Sequence, residues 1–111
     1  MKEYKTEDAY EMIPLTDEEL EESLRYVSDW ERLDDTWIGR EYSFEDYLDG
    51  VAFAKQVGEY AQKRMHHPTI TIKYKKVAIN ISSWQAKGVT KLDMEMAADF
   101  NDIFEQKGDF A

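Results

Sequence analysis

HHPTITIKYKKVAINIS, residues 66–82, is the stretch that decides the fold. Ile70, Ile72 and Tyr74 alternate with Thr69, Thr71 and Lys73, which is the two-residue period of a half-buried strand. Val77, Ile79 and Ile81 repeat the pattern against Ala78, Asn80 and Ser82. Lys75-Lys76 leaves room only for a tight connection, so the spacing predicts an antiparallel hairpin. At its front stand the two histidines of the chain, side by side. Pro68 disfavours helical geometry in the residue before it, so a helix arriving from the N-terminal side must stop at His66-His67. Two readings of the pair follow. As cations, the rings complement the dipole at a helix C-terminus. As groups that gain and lose a proton near neutrality, they suit acid–base chemistry.

Working outward, the pattern before the histidines is helical. Ser43 with Asp46 predicts a helix start, and the helix should run to about Met65. Tyr47, Val51, Ala54, Gly58, Ala61 and Met65 form one stripe, and Leu48, Phe53, Val57 and Tyr60 widen it. A helix apolar on more than one side is buried on more than one side, by its own core or by a second subunit. Further upstream, Thr16 with Glu19 predicts a capping box, flanked by Leu15 and Leu20 as a hydrophobic staple. Leu20, Leu24 and Val27 give this first helix its apolar face. Trp30 to Leu33 and Trp37 to Tyr42 read as strands around an Asp34-Asp35-Thr36 turn. Residues 1–14 are polar and irregular and predict a flexible arm, leaving 15–107 as one domain. Downstream, Ser82 to Val89 reads as a loop. Thr90 with Asp93 caps a last helix whose face is Leu92, Met96, Phe100 and Ile103 or Phe104. The order α-β-β-α-β-β-α with short connections predicts an α+β fold: a four-stranded antiparallel sheet with three helices on one face.

Composition sets the outer limits. A chain of 111 residues suits one domain. It has no cysteine, which excludes disulfides, thiolate nucleophiles and thiolate metal sites. It shows no apolar leader and no stretch long enough to cross a bilayer, so a cytoplasmic location is expected. The net charge of −10 argues against direct binding to nucleic acid or an anionic membrane. Residues 1–49 carry 17 acids and 5 bases, whereas residues 50–111 carry 7 and 9, so the half with the histidines is the less negative one.

His66-His67-Pro68, then Tyr74, Trp84 and Asp93, together resemble the signature of the pterin-4a-carbinolamine dehydratases. The likeness runs from about Leu15 to Phe104 and includes Leu20, Trp30, the Tyr42-to-Phe53 region and Gly88-Val89-Thr90. Two positions depart from the common pattern. Gln62 stands where the family often has a charged residue, and Trp84 where many members carry a third histidine. The resemblance implies a hydro-lyase, 4a-hydroxytetrahydrobiopterin dehydratase, which recycles the pterin cofactor of aromatic amino-acid hydroxylases. It implies catalysis by His66 and His67. It implies substrate binding by His66, His67, Pro68, the segment Ser83-Trp84-Gln85-Ala86, and Asp93. A homodimer or homotetramer is the implied assembly. Neither metal nor redox cofactor is expected, because two adjacent histidines without a third suitably spaced ligand are a weak zinc signal. The family also implies a rival role, since animal members serve as a dimerisation cofactor of a homeodomain transcription factor.

Overall fold

The computed structural model describes residues 13–106. Most of the expected flexible arm, residues 1–12, lies outside the described residues, as does residue 107. Pro14 bridges Thr90, and the Leu15 N–H donates to the Val89 carbonyl at 2.8 Å.

The elements follow the expected order. They are α1 (Asp17–Leu24), β1 (Glu31–Arg32), β2 (Ile38–Ser43), α2 (Tyr47–Arg64), β3 (Thr69–Ile72), β4 (Lys76–Ile81) and α3 (Lys91–Glu105). The four strands form one antiparallel sheet in the order β1-β2-β4-β3. Register lines up alternate residues of neighbouring strands on one face. Ile38 faces Ile81, Arg40 faces Ile79 and Tyr42 faces Val77, while Ile70 and Ile72 lie opposite Ile79 and Val77. Apart from Arg40 this sheet face is apolar, and all three helices gather on it. Phe53 and Val57 of α2 and Met96, Ala97 and Phe100 of α3 are buried against it. Tyr42, Phe44, Phe53 and Phe104 meet with ring centroids 4.7–5.8 Å apart, in the tilted and edge-on arrangements that ring quadrupoles favour.

Both capping boxes form. Thr16 and Glu19 satisfy each other's backbone donors at the start of α1, as Thr90 and Asp93 do at the start of α3.

Three expectations are corrected. Ser43 does not start α2; it pairs with Lys76 as the last residue of β2, and Asp46 is the N-cap without a side-chain cap bond. The buried stripe of α2 is Gly50, Phe53, Ala54, Val57 and Ala61, so Tyr47 and Met65 end up exposed. The hairpin turns through Lys73-Tyr74-Lys75, closed by the Lys73 N–H on the Lys76 carbonyl at 2.7 Å, which leaves Tyr74 in the turn and exposed.

Candidate active site

The histidines owe their position to the way α2 ends. Met65 takes a left-handed conformation, φ 53° and ψ 38°, and its N–H reaches back to the carbonyls of Ala61 and Gln62. The His66 N–H returns to Ala61 O at 3.2 Å. A left-handed cap satisfies carbonyls that the helix end would otherwise leave bare. For a residue with a Cβ it costs about 1–3 kcal/mol, a cost held in place by surrounding structure. Pro68 then carries the chain into β3 at Thr69.

His66 points into the fold, and its side chain is 19% exposed. Its Nε2 lies 2.6 Å from Asp93 Oδ1. Asp93, at the third position of α3, has no exposed side-chain surface. Its other oxygen, Oδ2, accepts from the Thr90 N–H at 2.8 Å and from the Ser83 hydroxyl at 2.9 Å. Ser83 Oγ also lies 2.9 Å from Thr90 Oγ1 and 3.3 Å from His66 Nε2. A buried carboxylate is tolerated only where hydrogen bonds replace the water it has lost, and this one has them on both oxygens.

His67 faces the other way. It is exposed, and its Nε2 is 2.8 Å from Gln62 Oε1, one turn back on α2. Gln62, one of the two departures from the family pattern, is thus a neutral partner for the second ring. The amide oxygen accepts, which assigns the hydrogen of a neutral His67 to Nε2.

Ser83 opens a compact turn. Its N–H bonds Gly88 O at 3.0 Å, the Ala86 N–H bonds Ser83 O at 2.9 Å, and Lys87 takes φ 60°. Ser83 is buried inward while Trp84 and Gln85 are exposed and Ala86 is half-buried. Trp84 is 79% exposed.

A second cluster holds the two helices in register. The Tyr60 hydroxyl donates to Asp99 Oδ2, and Arg64 lies 3.0 Å from the Tyr60 hydroxyl and 3.4 Å from Glu95 Oε1. Burial, reinforced by the Asp99 carboxylate, pushes the Tyr60 phenol up to about 12. Arg64 precedes His66 by two positions and Glu95 follows Asp93 by two, so this clamp sits beside the histidine–aspartate contact.

The structure therefore brings His66, Ser83 and Asp93 together, sets His67 and Pro68 next to them in the chain, and puts Trp84 and Gln85 on a neighbouring turn. Sequence reasoning assigned Thr90 only a capping role and gave Gln62 no partner. The Thr-x-x-Asp spacing was the available signal for Thr90, since its aspartate also belonged to the motif.

The family profile described as pterin 4 alpha carbinolamine dehydratase matches residues 13–103. The chain belongs to this family. Two relatives carry the name "Putative pterin-4-alpha-carbinolamine dehydratase". The one from Halobacterium salinarum is 48% identical over 73 residues, covering 60% of this chain and 80% of that protein. The second, numbered 2 in Gloeobacter violaceus, is 39% identical over 90 residues, covering 78% of this chain and 98% of that protein. A crystal structure of a transcriptional coactivator/pterin dehydratase from Brucella melitensis superposes with a TM-score of 0.77 at 34% identity, covering 81% of this chain and 97% of that one.

Proposed function

We propose that this protein is a 4a-hydroxytetrahydropterin dehydratase that works by histidine acid–base catalysis. The reaction breaks the bond between carbon 4a and its hydroxyl and forms a carbon–nitrogen double bond. The hydroxyl leaves as water after taking a proton, and the neighbouring nitrogen gives one up. One proton donor and one acceptor are needed, and positioned side chains contribute about 10²–10⁴-fold to such steps. His66 is the donor to the leaving hydroxyl. His67, exposed and held by Gln62, orients the ring and shares the proton work. Pro68, Trp84, Gln85 and Ala86 form the substrate surface around them. Ser83 and Asp93, buried behind His66, act through that ring. The product is a quinonoid dihydropterin, and the physiological role is recycling of the pterin used by aromatic amino-acid hydroxylases in the cytoplasm.

The observation that carries this reading is the pairing of His66 with a buried, fully hydrogen-bonded carboxylate while part of the ring stays exposed. A fold that used His66 only as a helix cap has no need of Asp93 on its far side. The decisive experiment is stopped-flow detection of quinonoid product with the wild type and His66→Ala. Acceleration by the wild type that His66→Ala loses is the expected result. A folded His66→Ala protein with wild-type rate overturns the assignment.

A second role rests on a different surface. Leu48 of α2 is 71% exposed and Tyr47 beside it is half-exposed. Apolar side chains placed together on a surface mark interfaces. This face supports self-assembly into a homodimer or homotetramer, and the Brucella melitensis relative is named a coactivator as well as a dehydratase. A dimerisation-cofactor role is the alternative function, and a purified protein that failed to accelerate dehydration would favour it.

A further inference from the structure

The polar cluster behind His66 has a direction, and the direction follows from counting donors. An ionised carboxylate only accepts, whereas a hydroxyl has one proton to give and two lone pairs. Asp93 Oδ2 takes the Ser83 proton at 2.9 Å and the Thr90 backbone proton at 2.8 Å. With its proton spent on Asp93, Ser83 Oγ can only accept from its remaining neighbours. Thr90 Oγ1 lies 2.9 Å from Ser83 Oγ and 3.3 Å from Asp93 Oδ2, so its single proton goes to one of these two acceptors and ties it to the same cluster. Thr90 Oγ1 in turn accepts from the Asp93 N–H at 3.5 Å. On the other side Asp93 Oδ1 faces His66 Nε2 at 2.6 Å, so this nitrogen must carry the hydrogen. The 3.3 Å approach of Ser83 Oγ to the same nitrogen agrees, because that oxygen has a lone pair left to accept with. Among the described residues the other ring nitrogen, Nδ1, has no hydrogen-bond partner.

We propose that Ser83 and Thr90 are positioning residues that act through Asp93 to keep one hydrogen of the His66 ring on Nε2, so that Nδ1 exchanges the proton with substrate. The cationic ring gives its Nδ1 proton to the leaving hydroxyl, and the neutral Nε2–H ring left behind takes up the proton of the substrate nitrogen. The catalytic half of this inference rests on the dehydratase reading, while the tautomer half does not. Thr90 also caps α3, so the start of that helix and the protonation pattern of the histidine are set by one threonine. Neither Ser83 nor Thr90 touches substrate in this scheme, since both are buried.

The test reads the ring directly. Imidazole nitrogen chemical shifts, taken where His66 is neutral, report which nitrogen bears the hydrogen. Wild type should show Nε2–H, and Ser83→Ala and Thr90→Val should show a mixture of tautomers. In stopped-flow assays both variants should lose kcat by about 10–100-fold with little change in KM, by analogy with the loss seen when a partner that orients a metal-ligating histidine is removed. Thr90→Ser, which keeps the hydroxyl and drops the methyl, should restore both the tautomer and kcat. Ser83→Ala leaves the helix cap intact and carries the test if Thr90→Val fails to fold. A wild-type His66 with its hydrogen on Nδ1 overturns the proposal whatever the activity. Wild-type kcat in folded Ser83→Ala overturns it too, as does a folded Thr90→Ser that rescues nothing. A wild type with the Nε2–H tautomer but no dehydration refutes the dehydratase reading and leaves the tautomer assignment standing.

Discussion

His66 Nε2 and Asp93 Oδ1 meet at 2.6 Å although 27 positions separate them in the chain. The same carboxylate caps α3 through its second oxygen. The end of α2 and the start of α3 are thus tied at one buried anion, and the geometry of the site is inseparable from the packing of two helices. Asp93→Asn tests both consequences. The amide is nearly isosteric but carries a donor where the carboxylate accepted. One of the groups now facing Oδ1 or Oδ2 is left facing another donor, and an unsatisfied buried group costs about 1–3 kcal/mol. Chemical denaturation should show a loss of that size, and dehydration should fall alongside it. Unchanged stability would mean that the cluster rearranges around an amide without loss.

Two tyrosines should titrate late. Burial pushes the Tyr42 phenol up to about 12, with the Trp30 indole and Arg40 opposing the shift, and Tyr60 is pushed up to about 12 as well. Both are raised above an ordinary value of 10.0, so the fold favours their neutral forms. The stability they contribute is whole below that ordinary value and is lost as pH rises towards 12. Phenolate absorbance should therefore show Tyr42 and Tyr60 ionising late, at the pH where the circular dichroism of the fold collapses. Ionisation of Tyr42 and Tyr60 near 10.0, with the fold intact, contradicts this.

Much of this was legible in the chain because local signals agreed with the final packing. The Ile70-to-Ile81 alternation gave the hairpin, and Thr16-x-x-Glu19 and Thr90-x-x-Asp93 marked two helix starts that the structure bears out. The α2 stripe was not legible. Leu48, Val51, Phe53, Ala54 and Val57 leave no clean polar face, so periodicity cannot choose a rotation, and the sheet chooses Phe53 and Val57. Ser43 misled for a related reason. A serine three residues before an aspartate fits a cap, but its backbone was already committed to Lys76 across the sheet. Nor could spacing reveal that Asn101 Oδ1 gathers Trp30, Arg40 and Tyr42, because those residues meet only once α3 lies across the sheet.

Gly39 should tolerate no side chain. A Cβ built there meets Asn80 Oδ1 at 2.5 Å, Leu33 Cδ1 at 2.8 Å and the Ile79 carbonyl at 3.2 Å. The asparagine tip and the leucine can give way, but the carbonyl belongs to the neighbouring strand. Overpacking of this kind costs about 1–3 kcal/mol. Gly39→Ala should lower the denaturation midpoint by a corresponding amount, and a wild-type midpoint would show that Asn80 and Leu33 swing aside freely.

Self-association through α2 should depend on Leu48. The wild type is expected to sediment as an oligomer at micromolar concentration, and Leu48→Glu should shift it towards monomer by placing a charge in the apolar contact. Leu48 lies at the opposite end of α2 from His66, so folding of the site should survive the change. A wild type that sediments only as monomer refutes the assembly. An oligomer indifferent to Leu48→Glu moves the interface elsewhere.

Trp84 should leave a mark on stereochemistry. The 4a-hydroxyl can stand on either face of the pterin, and two acids on different sides can each serve one configuration. His66 supplies one. Where many family members have a histidine this chain has Trp84, whose indole N–H has no proton to give near neutral pH. It offers a flat apolar face for stacking, and its exposure on the Ser83–Gly88 turn leaves that face open to a ligand. The two configurations should therefore turn over unequally, the slower one limited by protonation of its leaving hydroxyl. The gap should be about 10²-fold or more, within the span of general acid catalysis. Trp84→His should narrow it by returning an acid to the second face, at some cost in KM as the stacking surface shrinks. Each isomer is timed separately by stopped flow, in wild type and in variant. Equal wild-type rates would mean that His66, or a bound water, reaches both faces of the ring.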